Sequence, residues 1–490
     1  MRLVTERTQT GRKTAAEALC AVEELSSFPE PEEAFKRLAR LPHVLFLDSA
    51  LSHPTLGRYS FLTADPFDWI VARGRQVRVA GETYHGADPF VILAQRLKLF
   101  SSKHQVGLPP FQGGAAGLFG YDLCHHLERL PRPRHDEFQL PDLAIGFYDW
   151  TLGYDHQQRR AWIISTGFPE QEPSRRQRRA DRRLQEIMSH LQRPAQRPSL
   201  APPAFFVEPA VANSVPEHLK LHSSFNRLGY LAAVGRIIEF IRAGDCFQVN
   251  LSQRLLHPFR SSASDLYLRL RAANPATFAG YFDLGDFQIA SASPERFLRV
   301  AGDEVETRPI KGTRPRGATT ADDEAIGREL LASAKDRSEN IMIVDLLRND
   351  LGRVCRYGSV QVPALCRLET YQYVHHLVSE VRGRLRPESS VVDLLRATFP
   401  GGSVTGAPKI RAMEIIAELE PVARGAYCGA LGYLGFNGQA DSNILIRTFT
   451  VGGGWAQFPV GGGIVADSDP EREYAETWHK AEGLLRALPE

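Results

Sequence analysis

From residue 246 onward, short apolar runs interrupted by glycine arrive in blocks, with few helices between them. That order restricts the fold more than any other feature of the chain. Residues 246–255 alternate as a strand does, with Phe247, Val249 and Leu251 on one face and Gln248, Asn250 and Ser252 on the other. Residues 281–292, 427–435, 443–451 and 457–465 read as further strands. Long helical patterns at residues 336–348 and 469–488 flank them. Blocks of strands favour an α+β architecture over a doubly wound sheet, which needs strict alternation of strand and helix. The chain shows no internal repeat.

Upstream, residues 41–47 and 113–118 read as buried strands and residues 88–99 as a helix with Pro89 just inside its start. Residues 174–183 are dense in arginine without interleaved aromatics, the pattern of a solvated helix face rather than a nucleic-acid arm. Proline and alanine then dominate residues 193–216, so the expected division is an N-terminal unit 1–190, a linker 191–216 and a C-terminal unit 217–490. Asn226 is placed to cap a helix with Tyr230, Val234, Ile237, Ile238 and Ile241 at helical spacing, and Gly244 to stop it. The 490 residues, 43% hydrophobic, are enough for a large core in two or three domains. A net charge of +2 gives no electrostatic case for nucleic-acid or membrane binding. Six dispersed cysteines without metal-type pairing fit reduced thiols in the cytoplasm. Residues 1–7 lack an apolar signal region, and runs such as residues 341–344 are too short to span a bilayer.

Chemistry concentrates at Lys311, in what reads as a tight turn between Pro309 and Pro315 with Gly312 and Gly317 supplying unusual backbone angles. Arg308, Arg314, Arg316 and Arg328 crowd it, and nearby cations ease deprotonation of an amine. A neutral lysine is a nucleophile. In the last helix, Asp469 caps, Pro470 opens, and Glu476 and Lys480 are neighbours four residues apart. Glu339 reads as opening another helix, and two carboxylates from separate helices suit Mg2+, which prefers oxygen ligands. The glycine-rich residues 401–407 precede a helix starting near Pro408, whose amides could receive an anion. Gly461, Gly462 and Gly463 follow a strand, either as a carboxylate-binding run of amides or as a tight bend. No dinucleotide fingerprint stands at a strand-to-helix junction. Paired histidines occur at His125–His126 and His375–His376.

Taken together, these segments resemble the chorismate-utilising enzymes. The motifs run in unbroken order: GDCFQVNLSQR at 244–254, SASPERF at 291–297, RPIKGT at 308–313, ENIMIVDLLRND at 339–350, HHLVS at 375–379, FPGGSVTGAPK at 399–409, YCGALGY at 427–433, GGGIVAD at 461–467 and ETWHK at 476–480. The N-terminal half matches more loosely, at residues 47–50 and 57–60. The resemblance implies an anthranilate-synthase-like fold, mainly antiparallel sheets packed as a sandwich or barrel with helices outside. Two positions point to the branch that makes 4-amino-4-deoxychorismate. Anthranilate synthases usually have alanine where this chain has Lys311, and enzymes that add water place a lysine base where Gln248 stands. Glutamine is no base, so ammonia is the expected nucleophile.

The family mechanism, carried onto this chain, implies Mg2+ held by Glu339 and Glu476. It implies carboxylate binding by Ser403, Tyr427, Arg447, Lys480 and the amides of Gly461, Gly462 and Gly463. Lys311 would attack C2 of the ring while Glu295 protonates the departing C4 hydroxyl near His376. Ammonia would then add at C4. No glutaminase signature is present, so a separate glutamine amidotransferase subunit is the implied ammonia source. Residues 47–50, around Ser49, resemble a tryptophan-binding segment. Anthranilate synthesis and a non-catalytic regulatory subunit are the competing expectations; the intact set Glu295, Lys311, Glu339 and Glu476 speaks against the second.

Overall fold

The alternating pattern at residues 246–255 folds as the strand Gln248–Pro258, hydrogen-bonded along its length to Trp455–Ile464. A computed structural model of the chain describes residues 21–51, 56–195, 205–215, 220–371 and 374–489. Cys20, residues 1–7, and parts of the expected linker lie outside the described residues. Among the described residues the strands form two large antiparallel sheets, of 13 and 12 strands. The α+β expectation with antiparallel sheets is therefore met. Both sheets draw strands from before residue 190 and after residue 220: Leu45–Asp48 pairs with Phe278–Asp283 in one, and Gly114–Phe119 pairs with Ala430–Gly435 in the other.

The layers follow from which faces are apolar. Phe61, Phe282 and Ile289 of the first sheet meet Leu118, Tyr148 and Tyr433 of the second in a core between them. The outer face of the 12-stranded sheet is covered by helices carrying Phe90, Ile343, Leu347 and Leu395. The outer face of the 13-stranded sheet is covered by helices carrying Phe35, Leu184, Leu266 and Leu484. Helices thus lie outside a sandwich, the arrangement that buries one face of every element.

Local signals set the helix ends. Asp88 accepts from the amides of Phe90 and Val91 to start Pro89–Lys98, and Asn226 accepts from Gly229 to start Arg227–Arg242. Asp469 accepts from Arg472 to start Pro470–Leu485. The arginine-dense segment is the helix Pro173–Gln192, exposed at Arg175, Arg178 and Arg182, while Arg179 and Arg183 reach the buried Asp149. Two expected strands each split into a pair: Phe278–Asp283 with Gln288–Ser293 around Gly285, and Ala440–Ile444 with Thr448–Gly452 around Arg447. Gly285 and Arg447 have positive φ, 92° and 50°, which turns the chain where the apolar pattern runs on. Residues 205–207 pack onto the first sheet, where Val207 donates to the Gly453 carbonyl at 3.0 Å and accepts from the Trp455 indole at 2.9 Å. No described helix is long and apolar enough to cross a membrane.

Candidate active site

Lys311 does not sit in a turn. It lies in the strand Ile310–Pro315, at the edge of the 12-stranded sheet, paired with Val374–Arg384. The register slips there: Ile310 faces Val378, but Thr313 faces His376, so three steps on one strand match two on the other. The extra residue makes a bulge, which bends a strand and re-aims its side chains. Gly312 carries it at φ +82°, and a Cβ there would stand 2.9 Å from Leu330 Cδ1 and 3.0 Å from Asp336 Cβ. Only glycine meets both demands.

The bulge turns Lys311 inward. Its Nζ donates to the Ser403 carbonyl at 3.2 Å, and the Ser403 hydroxyl donates to Glu295 Oε1 at 2.6 Å. Burial lowers the Lys311 pKa, against the Glu339 and Glu295 carboxylates, which favour the ammonium form. Of the two expected causes, burial or neighbouring cations, burial leads, and the cation that adds to it is Lys480 rather than the nearby arginines. Arg308 pairs with Glu369 and Glu380, Arg314 with Glu329 and Asp336, and Arg316 with Asp323, so these three charges are met locally. Burial also pushes Glu295 up to about 7, although the Ser403 hydrogen bond, Lys311, the Ile310 amide and Arg447 all pull it down. A carboxyl poised there can donate a proton near neutrality. Burial, with Arg447 and His375, holds His376 down at about 3, so its ring is neutral, and Nδ1 lies 2.8 Å from Thr313 Oγ1. The Arg447 side chain makes no hydrogen bond or ion pair among the described residues, which leaves a half-buried guanidinium open to a carboxylate.

Two helices bring acids to the other side. Glu339 lies in the second turn of Ala334–Gly352, not at its opening, because Ser333 caps the helix. Burial raises its pKa, opposed by Lys311 and Lys335. On Pro470–Leu485, burial works to raise Glu476, but Lys480, Lys335 and Lys311 outweigh it and its pKa is lowered. Glu476 pairs with Lys480 at 2.7 Å, and Lys480 also donates to the Gly461 carbonyl at 2.8 Å. Sequence reasoning missed Glu473 and Lys335, which meet at 3.5 Å. Their signal was helical: Lys335 precedes Glu339 by four, and Glu473, Glu476 and Lys480 form one stripe. No cluster of three or more metal-ligating side chains forms among the described residues. Glu339 and Glu476 offer hard oxygen donors, a set that suits Mg2+ with retained waters.

The three glycines do not follow a strand; they lie inside Trp455–Ile464, opposite Ser252, Leu251 and Asn250. On its far side that strand is paired only along Trp455–Gln457, so its edge is open beyond. A Cβ on Gly462 would stand 3.3 Å from Glu476 Oε1 and 3.6 Å from Lys480 Nζ, which leaves room for a ligand only because the residue is glycine. A Cβ on Gly463 would meet Gln248 Nε2 at 2.8 Å. Gln248 is fully buried, and neither end of its amide has a hydrogen-bond partner. Tyr427, also buried, joins the group through Arg424, whose guanidinium lies 5.9 Å from its ring.

The match to the family of chorismate binding enzymes spans residues 56–486. The chain belongs to that family. It is 40% identical to aminodeoxychorismate synthase component 1 of Escherichia coli K12 over 472 residues, covering 93% of this chain and 95% of that protein. It is 39% identical to anthranilate synthase component 1 of Thermus thermophilus over 464 residues, covering 95% and 96%. The crystal structure of anthranilate synthase component I from Streptococcus pneumoniae superposes with a TM-score of 0.75 at 34% identity, over 88% of this chain and 93% of that one. The fold is anthranilate-synthase-like, as the resemblance implied.

This chorismate-binding enzyme also has a cavity of about 340 Å3 lined by residues of both sheets. Ser49, Gly57, Tyr59, Arg296, Tyr433 and Asp441 are among its lining residues, so the two N-terminal motifs meet there. Asp48 also borders the cavity, and its carboxylate accepts from Tyr267 at 2.8 Å and Arg271 at 2.7 Å.

Proposed function

We propose that the protein aminates chorismate at C4 to give 4-amino-4-deoxychorismate, with ammonia delivered by a separate glutamine amidotransferase subunit. One observation carries this reading: a bulge brings the half-buried Lys311 against Ser403, whose hydroxyl in turn holds Glu295. Lys311 attacks C2 of the ring, both ring double bonds shift (to C1=C6 and C4=C5), and the C4 hydroxyl leaves as water with the proton from Glu295. Ammonia attacks C4, both double bonds return to their places, and the Lys311 amine is expelled. His376, neutral, contributes a hydrogen bond rather than a charge near the leaving group. Arg447, Ser403, Tyr427, Lys480 and the amides of Gly461 to Gly463 hold the two carboxylates. Mg2+, held by Glu339 and Glu476, supplies charge neutralisation for a substrate carboxylate when bound.

Support for the branch is chemical, since relatives of both activities are equally similar. A half-buried lysine has no task in a direct addition of ammonia at C2, and Gln248 offers no base to activate water. The names of the relatives, component 1, support a partner subunit. The cavity lined by Ser49 and Arg296 supports binding of tryptophan there, testable as a rise in melting temperature with added tryptophan and none with alanine. The pure protein incubated with chorismate, Mg2+ and ammonium tests the reaction. Formation of 4-amino-4-deoxychorismate is expected; anthranilate fluorescence as the product refutes the branch, and no loss of chorismate refutes catalysis.

A further inference from the structure

Among the described residues a second buried constellation lies directly behind this site. Glu420 and Arg424 are 4% and 7% exposed, one turn apart in sequence. Arg424 Nε donates to Glu420 Oε2 at 2.8 Å and Nη2 donates to Oε1 at 2.7 Å, a bidentate pair. The remaining donors go elsewhere: Nη1 to the Val404 carbonyl at 3.0 Å and Nη2 to the Asn250 carbonyl at 2.7 Å. Glu420 Oε1 in turn accepts from the amide and hydroxyl of Ser252, at 2.8 and 2.9 Å.

Each of those contacts is one or two residues from a group assigned to the substrate. Val404 follows Ser403; Asn250 lies opposite Gly463, two residues beyond Gln248. The Arg424 carbonyl accepts the Tyr427 amide at 3.1 Å. The turn and the strand are also joined by the Asn250 amide on the Thr405 carbonyl, at 2.8 Å, and beyond it by the pairing of Gln248 with Ala407 and Val249 with Gly406. A buried ion pair is a poor device for stability, because desolvating both charges offsets most of their attraction. A planar fork that reaches two carbonyls and a carboxylate at once is a good device for geometry.

We infer that Glu420 and Arg424 are positioning residues: one guanidinium sets the distance between the Ser403 turn and the Gln248 strand, and so shapes the pocket for the substrate's carboxylates. This rests on the amination reading above. Lysine at 424 keeps the charge but not the fork, so it leaves at least one of the two carbonyls unheld.

The test measures steady-state chorismate consumption with ammonium and Mg2+ for wild type, Arg424→Lys and the double variant Glu420→Leu with Arg424→Met, alongside thermal melts. The double variant replaces the pair by apolar groups of similar volume, which folds hold well. Expected are cooperative melts, a chorismate KM raised about tenfold and a kcat lowered about tenfold, since misplacing a bound substrate by about 1 Å costs roughly a hundredfold in all. A merely structural role lowers the folded fraction and kcat but leaves KM where it was; that result overturns the inference. So does failure of both variants to fold, which assigns the pair to the core. Wild type that consumes no chorismate refutes the amination reading itself, whereas variants indistinguishable from an active wild type refute only the positioning role.

Discussion

Replacing Gly312 by alanine separates the bulge from every other feature of the site. Two costs are readable from the structure. The backbone at φ +82° suits glycine, and a Cβ there costs roughly 1–2 kcal/mol. The same Cβ would lie 2.9 Å from Leu330 Cδ1 and 3.0 Å from Asp336 Cβ. Crowding of that kind costs roughly 1–3 kcal/mol more. The total, about 2–5 kcal/mol, exceeds what an edge strand gains from a single bulge, so the strand is expected to slip one residue and expel it. A one-residue slip turns Lys311 to the opposite face of the sheet. Gly302→Ala is the control: φ is +65° there as well, but nothing lies within 4 Å, so it carries the backbone cost alone. Urea unfolding and the rate of chorismate consumption per folded molecule are the assays. Gly312→Ala should lose at least about a hundredfold in turnover, the cost of a misplaced reacting group, while Gly302→Ala loses stability and keeps its turnover. Gly312→Ala turning over within threefold of wild type would refute the claim that the bulge aims the lysine.

Further predictions concern the charges around Lys311. The pH profile of kcat/KM should be a bell, because the reaction needs Lys311 neutral and Glu295 protonated, and the limb set by Glu295 lies near pH 7 in the free enzyme. Ser403→Ala removes a hydrogen bond that favours the ionised carboxylate, so the limb near pH 7 should move to higher pH; no movement contradicts the general-acid role. Lys311→Ala should lower formation of 4-amino-4-deoxychorismate by at least about a thousandfold, the scale of losing a covalent catalyst, and product analysis also reports any anthranilate made instead. Glu339→Gln should raise the Mg2+ concentration for half-maximal rate by roughly tenfold or more, as loss of a ligand charge weakens a hard-cation site; an unchanged Mg2+ dependence removes Glu339 from the metal.

Element ends were legible in the chain wherever one side chain answers a backbone need. Asn226 and Asp469 cap the helices they were expected to cap, and the helix expected over residues 88–99 starts at Pro89 with Asp88 as its cap, since a carboxylate or amide before an apolar period has few other uses. Strand pairing was not legible. Gly114–Phe119 lies beside Ala430–Gly435, and no local pattern links segments so distant in sequence. The bulge escaped for a related reason: it is a relation between two strands, and residues 308–317 alone, rich in proline and glycine, read as a turn. Within the site, motif resemblance supplied Lys311, Glu295, Ser403 and the glutamates, but not their mutual contacts. The arginines near Lys311 misled because charge in a sequence carries no information about which acids will neutralise it; Glu369, Glu380, Asp336 and Asp323 do so across the fold.

The central claim is that the Lys311 amine bonds covalently to the ring during turnover. Mass spectrometry of peptides from protein quenched while consuming chorismate, with ammonium withheld, tests it most directly. The account predicts an adduct on the peptide containing Lys311, heavier by chorismate less one water, and none in Lys311→Ala. An enzyme that makes 4-amino-4-deoxychorismate at full rate with no adduct on that peptide at any quench time contradicts it.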